Sequence, residues 1–414
     1  MNVAHHLILL GGALGLLGIA AGLLSARLGA PLLLAFLGLG MLAGKDGPGG
    51  VVFDDFRAAY LIGSAALAVI LFEGGLKTRP ATLRVALWPA LALATAGVAI
   101  TAGVVAAMFA LCVAPPWPYP AWTLAVLVGA SLAPTDAAAV ALLLRRARVA
   151  VPERVAATLE VESGLNDPVS VFLTVLVTGY LLAPGGVTAG RATLLLAREM
   201  AGGATLGIAG GWALLFALRR MGAEAALCPV LALMGALALF GAAQSLGASG
   251  FLAVYLAGVV AGTGGHRSSA AVEHVFEAFG WLAQIVLFLM LGLLVTPYEL
   301  PMTWAVLAVT ATLILLARPV ACLACLPPFG FTWRETAFAS WVGLRGAVPV
   351  YLTTIPLLAG VRDAQFMFGP TFVVVVISLV VQGWTIAPAA RLLGFRRGKG
   401  NGVVRSESFT ETAR

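Results

Sequence analysis

This chain is built from one long apolar run after another, and that pattern leaves few folds open to it. Runs long enough to cross a bilayer lie at about 7–25, 30–44, 57–76, 84–112, 121–144, 152–182, 193–218, 225–245, 248–264, 272–296, 302–327, 333–358 and 366–393. Hydrophobic residues make up 61% of the 414 positions and charged residues only 10%, where a soluble domain carries about 25% charge. So much apolar surface needs lipid, and the expectation is an all-α polytopic membrane protein of about 13 helices. Residues 1–396 would form one transmembrane domain, and 397–414 a short polar cytoplasmic tail without fixed structure.

The net charge of +7 could suggest a nucleic-acid partner, but the basic residues sit in short loops between apolar runs, which marks topology. One alternating set of loops, with the C-terminal tail, holds 18 Lys and Arg; the other set holds 5. That bias puts the C-terminus in the cytoplasm and the N-terminus outside, in the cell membrane. Cys322 and Cys325 spell CxxC, but no second Cys/His pair accompanies them, and they read as small packing residues. The four histidines, His5, His6, His266 and His274, lie at span ends or in a loop, so a histidine proton relay is not expected.

An odd number of spans suits two repeats of six joined by a linker helix, with spans 1–6 and 8–13 in opposite orientations. Spans 5 and 12 then correspond. Span 5 is interrupted at Ala133-Pro134-Thr135-Asp136, and span 12 at Gly343-Leu344-Arg345-Gly346-Ala347-Val348-Pro349. Paired interruptions at matching places in two halves point to a transport site.

Polar residues inside the runs narrow the chemistry. A charge at bilayer depth costs roughly 2.5–3.5 kcal/mol on insertion scales, so it persists mainly where it works. Span 6 carries Glu162-Ser163-Gly164-Leu165-Asn166-Asp167-Pro168 near mid-membrane. On a helix Ser163 and Asp167 are four residues apart, as are Glu162 and Asn166, so the group clusters on about one face. Such oxygens suit a hard monovalent cation, or a proton. Asp167 is the foremost candidate. Asp136 either contacts the ion or caps the half-helix after the break. Thr135 offers a hydroxyl or a carbonyl. Glu162 and Arg345 carry opposite charge and are expected to pair. Glu73 is read as a carboxylate near the inner end of span 3 that reaches the site through water, and Arg318, before Pro319, as a residue that ties down carbonyls or snorkels.

Taken together, Phe72-Glu73-x-Gly75, Pro134-Thr135-Asp136, Glu162-Ser163-x-x-Asn166-Asp167-Pro168 and Gly343-Leu344-Arg345-Gly346-Ala347 resemble the monovalent cation:proton antiporter superfamily, in its NhaP/NHE-type branch, across about residues 5–395. The resemblance implies an inverted-repeat homodimer with crossed, unwound spans 5 and 12, and interleaved core and dimerisation subdomains that move against each other in an elevator-like way. It implies that Asp167 binds ion and proton in competition, that Ser163 and Thr135 coordinate the cation, and that Glu162 and Arg345 form a core salt bridge. Asn166 stands where the electrogenic branch has a second Asp, which implies one-for-one exchange. No cofactor is implied, only transported Na⁺ or K⁺ and H⁺, with Na⁺ and Li⁺ the favoured cations. Some K⁺/H⁺ members carry a soluble domain after the last span. The rival readings are a cation channel and an intramembrane protease. The protease is disfavoured because Gly164-Leu165-Asn166-Asp167 lacks the GxGD pattern and Gly247-Ala248-Ser249-Gly250 falls at an outer turn.

Overall fold

A computed structural model describes residues 2–28, 32–112, 121–147, 149–183, 188–220, 227–263 and 269–395. The expected tail and His266 lie outside them. Among the described residues the regular structure is helical, apart from isolated bridging residues such as Gly44 with Val51. Among the described residues nine helical stretches are long and apolar enough to cross a membrane, and four shorter apolar helices accompany them. Large apolar side chains such as Leu61, Trp88, Trp122, Leu194, Trp212 and Trp304 face outward. An apolar exterior of this kind suits lipid and marks an integral membrane protein.

The first helices are α1 (Asn2–Leu28), α2 (Leu32–Ala43) and α3 (Phe56–Lys77). Asp55 starts α3, its carboxylate accepting from the amides of Arg57 at 2.9 Å and Ala58 at 3.0 Å. Next come α4 (Pro80–Ala92) and α5 (Val98–Cys112), joined without a break through a π-turn at Leu93–Gly97. Then follow α6 (Ala121–Leu132), α7 (Ala137–Arg146), α8 (Glu153–Leu182), α9 (Ala189–Arg220), α10 (Leu227–Ser245), α11 (Gly250–Gly262) and α12 (Ser269–Leu293). A second π-turn, Leu313–Ala317, joins α13 (Trp304–Thr312) to α14 (Arg318–Cys325). The chain ends with α15 (Trp333–Trp341), α16 (Val348–Leu358) and α17 (Gln365–Leu392).

Both expected interruptions are present, between α6 and α7 at 133–136 and between α15 and α16 at 342–347. The π-turns are a feature the apolar pattern does not reveal. In each, one amide reaches back five residues: Val98 N–H donates to Leu93 O, and Arg318 N–H to Leu313 O. The extra residue rotates all that follows by about 100° relative to an uninterrupted α-helix. The first π-turn packs on α14 and the second on α5. The two bulged helices therefore pack against each other, beside the two broken ones, α5 on α6 and α14 on α15.

Glycine allows close helix contacts. α3 meets α11 where Gly75 faces Gly258: a Cβ on Gly258 would stand 3.1 Å from Gly75 Cα and 3.1 Å from Leu76 N, against backbone that cannot yield. This close pairing holds α3 as one wall of the site described next.

Candidate functional site

The two interruptions lean on each other. Asp136 N–H donates to Leu344 O at 2.8 Å, from one break to the other. The Asp136 side chain caps α7, its Oδ1 accepting from Ala139 N–H at 3.0 Å. Arg345 Nη1 donates to the carbonyls of Ala133 at 2.9 Å and Pro134 at 3.0 Å. Those carbonyls lie in the break just past the last residue of α6, at the negative end of its dipole. The second break is held from α17: Arg345 N–H donates to Ser378 Oγ at 3.1 Å, and Gln382 Nε2 donates to Trp341 O at 2.7 Å.

Arg345 does not pair with Glu162, contrary to the sequence expectation. Glu162 instead meets Arg318 across 156 residues in a bidentate ion pair, Nη1 to Oε1 and Nη2 to Oε2, the latter at 2.8 Å. Both side chains are buried, 4% and 1% exposed for Arg318 and Glu162. The reason is rotational: Arg318 is the first residue after the second π-turn, and the extra residue sets the direction in which it leaves the helix. Its Nε also points to Ala339 O at 3.4 Å, which retains part of the expected carbonyl contact.

α8 presents its polar face to the first break. Ser163 Oγ donates to Thr135 O at 2.9 Å and accepts from Ala137 N–H at 3.3 Å. Asn166 Nδ2 donates to Thr135 Oγ1 at 2.8 Å. The helix runs through Pro168 without interruption. Asp167 is buried, and its Oδ1 has no hydrogen-bond partner; neither has Asn166 Oδ1. Thr135, Asp136, Ser163 and Asp167 line one cavity of about 60 Å³, closed on its other side by α3 and α12 and at one end by Gly346. That volume holds a few waters, or an ion with part of its shell. A Cβ on Gly346 would stand 2.9 Å from Asp136 Cβ, so only glycine lets the second break approach the first this closely.

Not every candidate converges there. Glu73 lies outside this cavity, near the end of α3, where it pairs with Lys77 at 2.6 Å and lies against Gly280 of α12. Glu160, a further carboxylate on α8, also lies outside the cavity and accepts from Thr78 Oγ1 at 3.1 Å. Sequence reasoning missed Gln284, which lines the cavity from α12. The available signal was a lone amide within an apolar run. Cys228, Cys322 and Cys325 are buried, and none of them forms a disulfide. Among the described residues no three His, Cys, Asp or Glu side chains gather as a metal ion would require.

Two broken helices meeting beside a buried carboxylate define a transporter type of membrane protein, because irregular backbone at membrane depth persists only where it is enclosed or lines a cavity. The family model described as "sodium/hydrogen exchanger, transmembrane" matches residues 13–392, and the chain belongs to that family, one of transporters and not of enzymes. It is 44% identical over 388 residues to a protein of Shewanella oneidensis named K⁺/H⁺ antiporter NhaP2, covering 93% of this chain and 66% of that one. The chain thus spans about two thirds of the length of that curated relative. It is 28% identical over 349 residues to the Na⁺/H⁺ antiporter NhaP of Pseudomonas aeruginosa, covering 78% and 79% of the two chains. Its fold is similar to the sodium proton antiporter MjNhaP1 of Methanocaldococcus jannaschii, with a TM-score of 0.79 at 22% identity, covering 95% of this chain and 100% of that structure.

Proposed function

We propose that the chain is a secondary antiporter exchanging one monovalent cation for one H⁺ by alternating access. The observation that carries this reading is Asp167: a buried carboxylate with an unpartnered oxygen, in a cavity between two crossed broken helices, beside a neutral Asn166. Cation and proton compete for that carboxylate, with Ser163 and Thr135 supplying further oxygens. Asp136 shapes the site by capping α7. Glu162 with Arg318, and Arg345 on the carbonyls of the first break, hold the halves in register. One carboxylate neutralised alternately by H⁺ or M⁺ carries the same charge in both directions. The membrane potential, about 2.3 kcal/mol per charge per 100 mV, then neither drives nor opposes the cycle. Emptied and charged, the site resists crossing, which prevents uncoupled leak.

The architecture in this reading is thirteen spans, with two inverted repeats of six. The paired breaks and the paired π-turns in spans 4 and 11 support it. It assembles as a homodimer in the cell membrane, C-terminus inside, with an elevator-like motion of a core against a dimer-forming part. Residues 1–396 are the transport domain. Glu73 acts at the inner approach to the site.

The choice of cation has a second reading. The sequence favours Na⁺ and Li⁺, whereas the relative at 44% identity bears the name of a K⁺/H⁺ antiporter. K⁺ therefore stands level with Na⁺ and Li⁺. Purified protein in proteoliposomes, with proton flux read by fluorescence dequenching, tests both questions. Saturable, cation-dependent flux is expected, unaffected by an imposed potential and abolished in Asp167→Asn. Persistent flux in that variant defeats the proposal, and a flux direction set by the potential defeats one-for-one exchange.

A further inference from the structure

The two walls of the Asp167 cavity differ in character. One carries Thr135, Asp136, Ser163 and Asp167. The opposite wall, from α3 and α12, is apolar at Leu67, Ile70, Leu71, Leu287 and Phe288, with one polar side chain among them, Gln284. Residues 284, 287 and 288 are spaced i, i+3, i+4, so they share the face of α12 that meets the cavity. Gln284 is half-buried, and its amide makes no hydrogen bond to any described residue. Leucine would fill the same space without the cost of removing a free amide from water. An amide kept at this spot is accounted for by something that enters the cavity.

We infer that Gln284 is a ligand of the transported cation, the one side chain that reaches it from the α12 wall, and that it sets cation affinity and selectivity. Hard monovalent cations prefer oxygens on all sides, and Asp167, Ser163 and Thr135 approach from one side only. The Gln284 Oε1 closes the shell. Being neutral, it leaves the charge of the loaded site unchanged, so one-for-one exchange is preserved. When the site empties, rotation of the amide turns its NH₂ toward the Asp167 carboxylate in place of the cation.

This inference rests on the exchange reading above, and its test separates the two. Initial rates of the purified full chain in proteoliposomes are measured against Li⁺, Na⁺, K⁺ and Rb⁺ at fixed pH, for wild type, Q284L and Q284N. Q284L is expected to raise the KM of the transported cation about tenfold, as for one lost polar contact, while the saturating rate stays within about twofold. Its order of preference among the four cations changes, and Q284N, which keeps the amide, falls between. A merely structural role lowers the saturating rate of all cations together. That outcome, or a KM unchanged for all four, overturns the inference while leaving the exchange reading intact. A wild type that exchanges none of the four overturns both. If Q284L does not fold, Q284M takes its place with the same criteria.

Discussion

Replacing Arg318 by Met should destabilise the protein by about 3–5 kcal/mol, because it strands the Glu162 carboxylate, 1% exposed, without its partner. Most of that cost belongs to the orphaned charge and not to the lost attraction. Removing both charges, in Glu162→Gln with Arg318→Met, should therefore cost less than the sum of the singles by about 2–3 kcal/mol. Arg345 makes a direct contrast. Its side chain binds the carbonyls of Ala133 and Pro134, so Arg345→Met leaves no carboxylate stranded. Its coupling to Glu162→Gln should stay below about 1 kcal/mol. Reversible unfolding by SDS in mixed micelles, followed by fluorescence of the 9 tryptophans, supplies each corner of both cycles. A larger coupling of Glu162 to Arg345 than to Arg318 would refute the reasoning, and with it the role given to the second π-turn.

Three further outcomes follow from the same geometry. Asn166→Ala removes the donor that orients the Thr135 hydroxyl, and should weaken apparent cation affinity about tenfold in the dequenching assay, with stability changed by about 1 kcal/mol. In Gly346→Ala the new Cβ presses on the Asp136 carboxyl, whose Cγ would lie 3.0 Å away, so the cap of α7 is lost. The expected result is a loss of about 1 kcal/mol and a marked fall in the saturating transport rate; an unchanged rate would show that the breaks need not touch. Gly258→Ala forces backbone apart at the α3–α11 contact and should cost about 1–3 kcal/mol in the SDS titration, where a neutral result would contradict the close packing.

Much of the site was legible in the residues. The spans follow from hydropathy, since a bilayer leaves a helix few alternatives. Both breaks follow from Pro and Gly beside polar groups, and Thr135, Asp136, Ser163 and Asp167, each an oxygen donor inside an apolar run, line one cavity. Glu73 lies outside the cavity, and length along a span says little about which neighbour a side chain meets. The partner of Glu162 was misassigned for a related reason: charge complementarity left two arginines open, and only the packed arrangement separates them.

The sequence by itself determined that this chain lives in a membrane as helices, where two of them break, and which carboxylate is the foremost candidate for the exchanged ion. These are local matters, written in hydropathy, in residues that break helices, and in the cost of burying charge. Tertiary structure alone decided that Glu162 pairs with Arg318, that Arg345 secures the carbonyls of the first break, and that Gln284 faces the cavity. Each depends on the rotation of one helix against another, which a single π-turn resets by about 100°, and no residue pattern along one helix records that rotation.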